Sequence, residues 1–87
     1  MKYTYERLLS FSDNEIKNIV LSGKDNGYEL FKAYDYWQRY YLDESDKALT
    51  QRNQRLGEDL SAKSSALDSN KEKTMAYFEM AVKKGLW

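Results

Sequence analysis

The side chains of this chain that are able to do chemistry are aromatic rings, hydroxyls and carboxylates, because histidine and cysteine are absent. Without histidine, the chain lacks the group best suited to proton transfer near neutral pH and the commonest metal ligand. Without cysteine, it has no thiolate nucleophile, disulfide or Cys-ligated zinc, which favours a reducing cytoplasm. A Ser or Thr nucleophile would need a preorganised cleft that 87 residues can barely build. We therefore predict that the protein is not an enzyme and has no catalytic residue.

The acidic residues fit no metal-binding motif. Carboxylates cluster at 43–46, and a calcium loop that began at Asp43 would have Lys47 at its fifth position. Gln54 would then stand where such a loop needs a bidentate glutamate. Residues 23–27 likewise lack the length and the Lys-Ser/Thr ending of a phosphate-binding loop. The sequence predicts no metal site and no cofactor.

The most unusual segment is 28–42, where seven aromatic residues occur: Tyr28, Phe31, Tyr34, Tyr36, Trp37, Tyr40 and Tyr41. At about 100° per residue, Tyr34, Trp37 and Tyr41 share with Leu30 a sector roughly 60° wide, which is typical of a core-facing helix. The other aromatic residues extend well beyond the stripe of about 100° that a surface helix needs to bury. The segment therefore has more aromatic surface than its own core requires.

Two interpretations of this excess remain open. Either the helix is central and is wrapped by the others, or part of its aromatic surface faces a partner. Tyr, Trp and Arg supply a large contact area at low entropic cost and dominate binding hot spots. The candidate protein-binding residues are Tyr28, Phe31, Tyr36, Arg39 and Tyr40.

Two short helices are predicted at the N-terminus. Residues 12–22 begin with Ser12 and Glu15 at capping-box spacing, the strongest local signal in the chain. A helix is predicted at residues 3–10 because three apolar side chains, Tyr5, Leu8 and Leu9, have helical spacing. Because Tyr3 and Tyr5 also alternate with polar residues, a strand remains open for 3–10.

The next boundaries are set by glycine and by acidic residues. We predict that Gly23 ends the second helix in a left-handed conformation and that residues 23–27 form a turn. Asn26-Gly27 is also a hairpin signal, but the helical spacing that follows favours a helix at 28–42 over a β-hairpin. The acidic run at 43–46 places a further boundary near residue 43, either as a loop between helices or as the first turn of a new helix, where carboxylates are favoured.

The second half of the chain predicts a helix at 46–67 and another at 70–84. The first carries a thin stripe of leucines at 49, 56, 60 and 67. A second capping-box pattern at Ser69 to Glu72 indicates a break near residue 68. The last helix should end with Gly85 in the left-handed conformation.

Two alternatives remain open in this half. If the break near 68 is absent, 46–84 is one helix about 58 Å long, which would imply a homodimer formed through that region. Trp87 is either a lid over the face formed by Phe78 and Val82 or an exposed anchor, and its position after Gly85 favours the lid.

The sequence as a whole predicts one all-α domain over residues 1–87, a small bundle of about four helices. Its 14 basic and 14 acidic residues cancel, so no net field attracts nucleic acid or an anionic membrane. No apolar run reaches the length of a signal peptide or a membrane span. The expected partner is another protein, which suggests a small cytoplasmic inhibitor or regulator of the antitoxin, immunity-protein or phage-encoded modulator type.

The alternative function is nucleic-acid binding through residues 12–42. Two helices joined by a turn that holds Gly23 have the outline of a helix-turn-helix. A recognition helix should present Arg, Lys, Asn or Gln near its start, whereas this one presents Tyr28, Glu29 and Leu30. Protein binding is therefore favoured over nucleic-acid binding.

Overall fold

The computed structural model describes residues 2–87, which form five helices. They are α1 (Tyr5–Ser10), α2 (Asp13–Ser22), α3 (Lys24–Thr50), α4 (Gln54–Ser65) and α5 (Asp68–Lys83). The structure is 83% helical, and its described residues contain no strand, which confirms the prediction of a small all-α bundle. None of these helices is both long enough and apolar enough to cross a membrane.

The N-terminal helices follow the sequence prediction. Ser12 is the N-cap of α2, and its hydroxyl accepts a hydrogen bond from the backbone N–H of Glu15 at 3.2 Å. The Glu15 carboxylate accepts in return from the backbone N–H of Ser12 at 3.0 Å. This hydrogen bond holds the pKa of Glu15 below its usual range. The capping box is confirmed, and so is a short helix at the start of the chain, which begins at Tyr5.

The predicted turn at 23–27 is wrong, since α3 begins at Lys24 and only Gly23 separates it from α2. The backbone of Gly23 is extended rather than left-handed, with φ 165° and ψ 154°. Gly27 lies inside α3 because the residue is needed for packing: a Cβ atom there would come within 2.7 Å of the Trp87 ring and 2.8 Å of the Phe78 ring.

The predicted boundary near residue 43 is also wrong, because α3 continues to Thr50. Its acidic residues lie in the interior of a long helix, where Glu44 pairs with Lys47 at 3.4 Å. Ser45 is buried against α4, and its hydroxyl donates to the Gly57 carbonyl at 2.6 Å. Packing against α4 therefore carries the helix through a segment whose local sequence resembles a helix start.

The helix predicted at 46–67 is divided between α3 and α4 by a tight connection at 51–53. Arg52 has φ 61°, the left-handed conformation usually taken by glycine after a helix. The backbone N–H of Asn53 donates to the Ala48 carbonyl at 2.8 Å, which completes a Schellman motif. The Asn53 side chain then caps α4 by accepting from the N–H of Leu56 at 3.3 Å. The four leucines consequently form no single stripe.

We expect the substitution Arg52→Gly to raise the free energy of unfolding by roughly 0.5–1 kcal/mol, because glycine adopts the left-handed conformation without the steric cost that a Cβ atom imposes. Urea unfolding followed by circular dichroism measures the change. Arg55→Gly is the matched control, since it places glycine inside α4 and should destabilise by roughly 0.5–1 kcal/mol. Equal destabilisation by both substitutions would contradict the role given to Arg52.

The break near residue 68 is confirmed, as Ala66 and Leu67 form a turn between α4 and α5. α5 begins at Asp68 without a side-chain cap, so the capping box predicted at Ser69 to Glu72 does not form. Gly85 has φ 68°, and the Leu86 N–H donates to the Ala81 carbonyl at 2.9 Å, as in the predicted C-terminal motif. Because the chain is interrupted at 66–67, the reason given for a homodimer through 46–84 no longer applies.

α3 is the central helix, and α4 and then α5 run back along it in the opposite direction. Ser64 contacts Gln38, whereas further along α5 Phe78 lies beside Phe31. The core lies around the first half of α3, where side chains from α1, α2, α3 and the turn at 66–67 are fully buried: Leu8, Ile16, Val20, Leu30, Tyr34 and Leu67.

Beyond this core, the second half of α3 and α4 form a projecting hairpin that we call the arm, comprising residues 42–50 and 54–62. Within the arm only three residues are buried, all of them small: Ser45, Ala48 and Gly57. The arm makes the molecule long and thin, with extents of 50 × 21 × 18 Å. A two-helix arm has no core of its own, because an apolar helix face needs a further layer to cover it.

Candidate protein-binding surface

One side of α3 faces the core, as the helical spacing predicted. Leu30 and Tyr34 have no exposed surface. The Tyr34 hydroxyl donates to the Leu8 carbonyl at 2.8 Å, which fixes α1 against α3. Burial raises the pKa of Tyr34 to about 12. Tyr34 is therefore a core residue and is not exposed for contact with a partner.

Two other tyrosines of α3 point outwards next to each other. The side chains of Tyr36 and Tyr40 are 48% and 43% exposed. Their rings are stacked, with centroids 6.5 Å apart and an interplanar angle of 17°. Exposed apolar side chains are common one at a time, but tyrosine is enriched at binding hot spots, so two adjacent exposed tyrosines make this a candidate binding surface.

Trp37 lies beneath this pair and supports it. Its ring packs edge-on against Tyr36 at 5.2 Å and against Tyr40 at 5.7 Å. The Trp37 indole N–H donates to the Tyr3 carbonyl at 3.0 Å, which ties the ring to the segment before α1. A half-buried ring with a satisfied polar atom holds the two exposed rings in a fixed position.

The aromatic packing beneath this surface continues from α3 to α1, where Tyr5 is buried. Tyr41 stacks on Trp37 at 6.0 Å and meets Tyr5 edge-on at 4.9 Å. The Tyr5 hydroxyl donates to the Lys63 carbonyl at 3.0 Å, and the Lys63 ammonium lies 5.3 Å from the Tyr41 ring centre. Burial raises the pKa values of Tyr5 and Tyr41. We call the exposed part of this surface the tyrosine face, and it comprises Tyr36, Trp37, Tyr40 and Tyr41.

Arg39 borders the tyrosine face but is already engaged. Its guanidinium lies 3.0 Å from the Asp35 carboxylate, which Lys71 also contacts at 3.3 Å. Burial alone would raise the pKa of Asp35, but the hydrogen bonds and positive charges of Lys71 and Arg39 outweigh it and hold that pKa below its usual range. The Arg39 side chain remains largely exposed, so a partner carboxylate can still reach it.

The remaining two candidate residues, Tyr28 and Phe31, lie in a separate cluster at the other end of α3. Both pack on Phe78, at 5.5 and 5.7 Å. Trp87 closes over this cluster, 4.8 Å from Phe78, as the lid prediction requires, although Val82 stays exposed. The five candidate residues therefore do not form one surface: Tyr36, Arg39 and Tyr40 lie together, and Tyr28 and Phe31 help to hold the C-terminus.

A polar junction that the sequence did not predict lies where α3, α4 and α5 meet. The buried Gln38 amide donates to the Ser64 carbonyl at 3.2 Å and to the Asp68 carboxylate at 2.5 Å. Its carbonyl accepts from the Lys71 ammonium at 3.0 Å. One sequence feature could have indicated this junction: Gln38 is a polar residue within the apolar sector of the helix, one turn after Tyr34.

The start of α3, on which the nucleic-acid alternative depends, carries charges of both signs. Lys24 and Lys32 alternate there with Asp25 and Glu29, and Glu29 pairs with Lys2 at 3.5 Å. The joint between α2 and α3 is the single residue Gly23 rather than a turn of three or four residues.

Comparison of the chain with models of protein families, with curated proteins and with solved structures found no match to any of them.

Proposed function

We propose that this chain is a non-catalytic protein that binds another protein through the tyrosine face. The observation that carries the proposal is the stacked, half-exposed pair Tyr36 and Tyr40 on a supporting layer of Trp37 and Tyr41. Rings that are already ordered lose little freedom when a partner covers them.

The surface has the chemistry of a protein contact. Its rings offer a large apolar area with hydroxyls at the rim, and Arg39 and Lys63 supply positive charge beside it. Tyrosine, tryptophan and arginine are the residues enriched at hot spots. A partner that presents an apolar patch with a neighbouring carboxylate would complement it.

A small protein with one such surface acts by occupying a partner's surface rather than by transforming a substrate. We accordingly propose the role of an inhibitor or regulator of the bound protein. The chain has no cysteine that an oxidising compartment would pair, and we place this interaction in the cytoplasm on that ground.

The test is the double substitution Tyr36→Ala with Tyr40→Ala. Affinity capture with mass spectrometry first identifies the partner, and calorimetry then measures its affinity for each variant. We expect an affinity loss of at least tenfold for the double variant, because truncation of hot-spot aromatics costs more than about 1.4 kcal/mol. The helical circular dichroism should be unchanged, since both side chains project into solvent.

The matched control is Tyr28→Ala, which removes an equally exposed tyrosine from the opposite end of α3. It should leave the affinity for the partner within a factor of about two. If Tyr28→Ala weakens binding and the double substitution does not, the tyrosine face is not the binding site.

A further inference from the structure

The arm carries an open groove that no helix of the chain covers. The groove has a volume of ≈ 460 Å³ and runs between α3 and α4. Leu42 and Leu49 of α3 form one wall, and both side chains are 47% exposed. The opposite wall belongs to α4 and consists of small residues with one acid: Gly57, Glu58, Ser61, Ala62 and Ser65.

The wall of the groove formed by Leu42 and Leu49 belongs to a stripe of side chains that runs along one side of α3. In the first half of α3, helix α5 covers this stripe. At about 100° per residue, Phe31, Asp35, Leu42, Asp46 and Leu49 fall within a sector of roughly 60°. In the first half of α3, helix α5 lies on this stripe, with Phe78 against Phe31 at 5.7 Å and Lys71 on Asp35 at 3.3 Å. α5 begins at Asp68, level with Gln38, so the second half of the stripe has no third helix.

The covered half shows which chemistry fits the stripe. α5 supplies an aromatic ring to the apolar position and a lysine to the acidic one. The uncovered half repeats that pattern, with Leu42 and Leu49 as apolar positions and Asp46 as the acid. No salt bridge within residues 2–87 neutralises Asp46 or Glu58.

We propose that the groove of the arm binds an amphipathic helix that carries lysine or arginine beside its apolar stripe. Small residues on α4 allow close approach of a helix backbone. The carboxylates of Asp46 and Glu58, which have no ion pair within residues 2–87, select a helix with basic side chains. A second copy of this chain is a poor occupant, because its own arm would bring Asp46 and Glu58 against the same two acids. This site lies on a different side of α3 from the tyrosine face and does not depend on the function proposed for that face.

The probe is a pair of synthetic helical peptides on the order of 15–18 residues, long enough to span the arm at about 1.5 Å per residue. One carries leucines at helical spacing flanked by lysines, and in the other every lysine is replaced by glutamate. Each is titrated into the isotope-labelled full-length chain and followed by nuclear magnetic resonance. We expect the lysine peptide to shift the amide signals of Leu42, Asp46 and Ala62, and the glutamate peptide to leave them unchanged.

The double variant Asp46→Asn, Glu58→Gln tests the role of the negative charge. It should lower the affinity of the groove for the lysine peptide about tenfold. Asp59→Asn is the matched control, since it removes an exposed carboxylate of α4 outside the groove and should weaken binding less than about twofold. The Tyr36→Ala, Tyr40→Ala protein should bind the lysine peptide as the unmodified chain does, which separates this proposal from the tyrosine face.

Three results would overturn the proposal. The first is equal binding, or no binding, of the two peptides. The second is a set of shifted signals that lies outside the arm. The third is a dimer in analytical ultracentrifugation that Leu42→Lys dissociates, because it would place a second copy in the groove.

Discussion

Replacement of Gln38 by leucine is expected to lower the free energy of unfolding by about 2–3 kcal/mol, although leucine is apolar and of similar size. The buried amide makes three hydrogen bonds that leucine cannot make, to the Ser64 carbonyl, Asp68 and Lys71. With leucine at position 38, the Ser64 carbonyl would lose the hydrogen bond that it accepts from Gln38. The Lys71 ammonium would lose one of its acceptors. Two of the three lost hydrogen bonds are to charged groups, and the loss of all three exceeds what one added apolar side chain returns.

Urea unfolding monitored by circular dichroism measures this loss. Gln54→Leu is the matched control, because Gln54 is exposed on α4 and its amide contacts only Glu58, at 3.1 Å. That substitution should change stability by less than about 0.5 kcal/mol. A loss below about 1 kcal/mol for Gln38→Leu would show that the junction does not hold α3, α4 and α5 together.

Gln38 also shows what the sequence could and could not predict. Two helix ends set by short-range hydrogen bonds were predicted correctly, at Ser12 with Glu15 and at Gly85, whereas the capping box at Ser69 to Glu72 and the left-handed conformation of Gly23 do not form. These motifs need only residues within one turn of each other, so the local sequence contains the whole interaction. The partners of Gln38 are about 26 to 33 residues away, and no local pattern identifies them.

The wrong boundaries have the same cause. The acids at 43–46 suit the first turn of a helix, but α4 packs along that segment and keeps it helical. Gly27 looked like a turn residue, whereas the approach of Trp87 from the far end of the chain requires a glycine inside the helix. Arg52 takes a conformation that local preference assigns to glycine or asparagine, so the true end of α3 was not marked.

The candidate site was predictable in part. The excess of aromatic residues correctly indicated that α3 has exposed rings, and two of the five candidates, Tyr36 and Tyr40, are stacked together on the surface. Tyr28 and Phe31 were assigned to the same set because composition alone cannot show that these two rings pack on Phe78 at the other end of α3. The groove of the arm was not predictable, because it depends on where α5 begins.

The unmodified chain is expected to lose about 2–3 kcal/mol of stability between pH 10 and pH 12 through Tyr34 alone. Burial raises the pKa of this hydroxyl from 10.0 to about 12 in the folded chain. The folded state therefore keeps its proton where the unfolded state releases it. The neutral hydroxyl contributes its full stability below pH 10, and that contribution disappears as the pH rises through the folded value.

The Tyr34→Phe substitution isolates this effect from the other tyrosines, of which Tyr5, Tyr41 and Tyr77 also have raised pKa values. At pH 8 it should cost only about 1 kcal/mol, because the Leu8 carbonyl still accepts from Asn70 at 3.1 Å. Between pH 10 and pH 12 the variant should lose about 2–3 kcal/mol less than the unmodified chain, so that it becomes the more stable of the two. Urea midpoints measured across this range give the comparison.

Ile16→Val is the appropriate control, because it lowers stability by a similar amount, about 1 kcal/mol, without changing any tyrosine. Its stability should fall with pH in parallel with that of the unmodified chain. If the stability of Tyr34→Phe also falls with pH in parallel with that of the unmodified chain, the Tyr34 hydroxyl has the same pKa in the folded and unfolded states. Water then reaches this hydroxyl in the folded chain. A crossing of the two curves above pH 10 would instead establish that the hydroxyl at the contact between α1 and α3 is sealed from solvent.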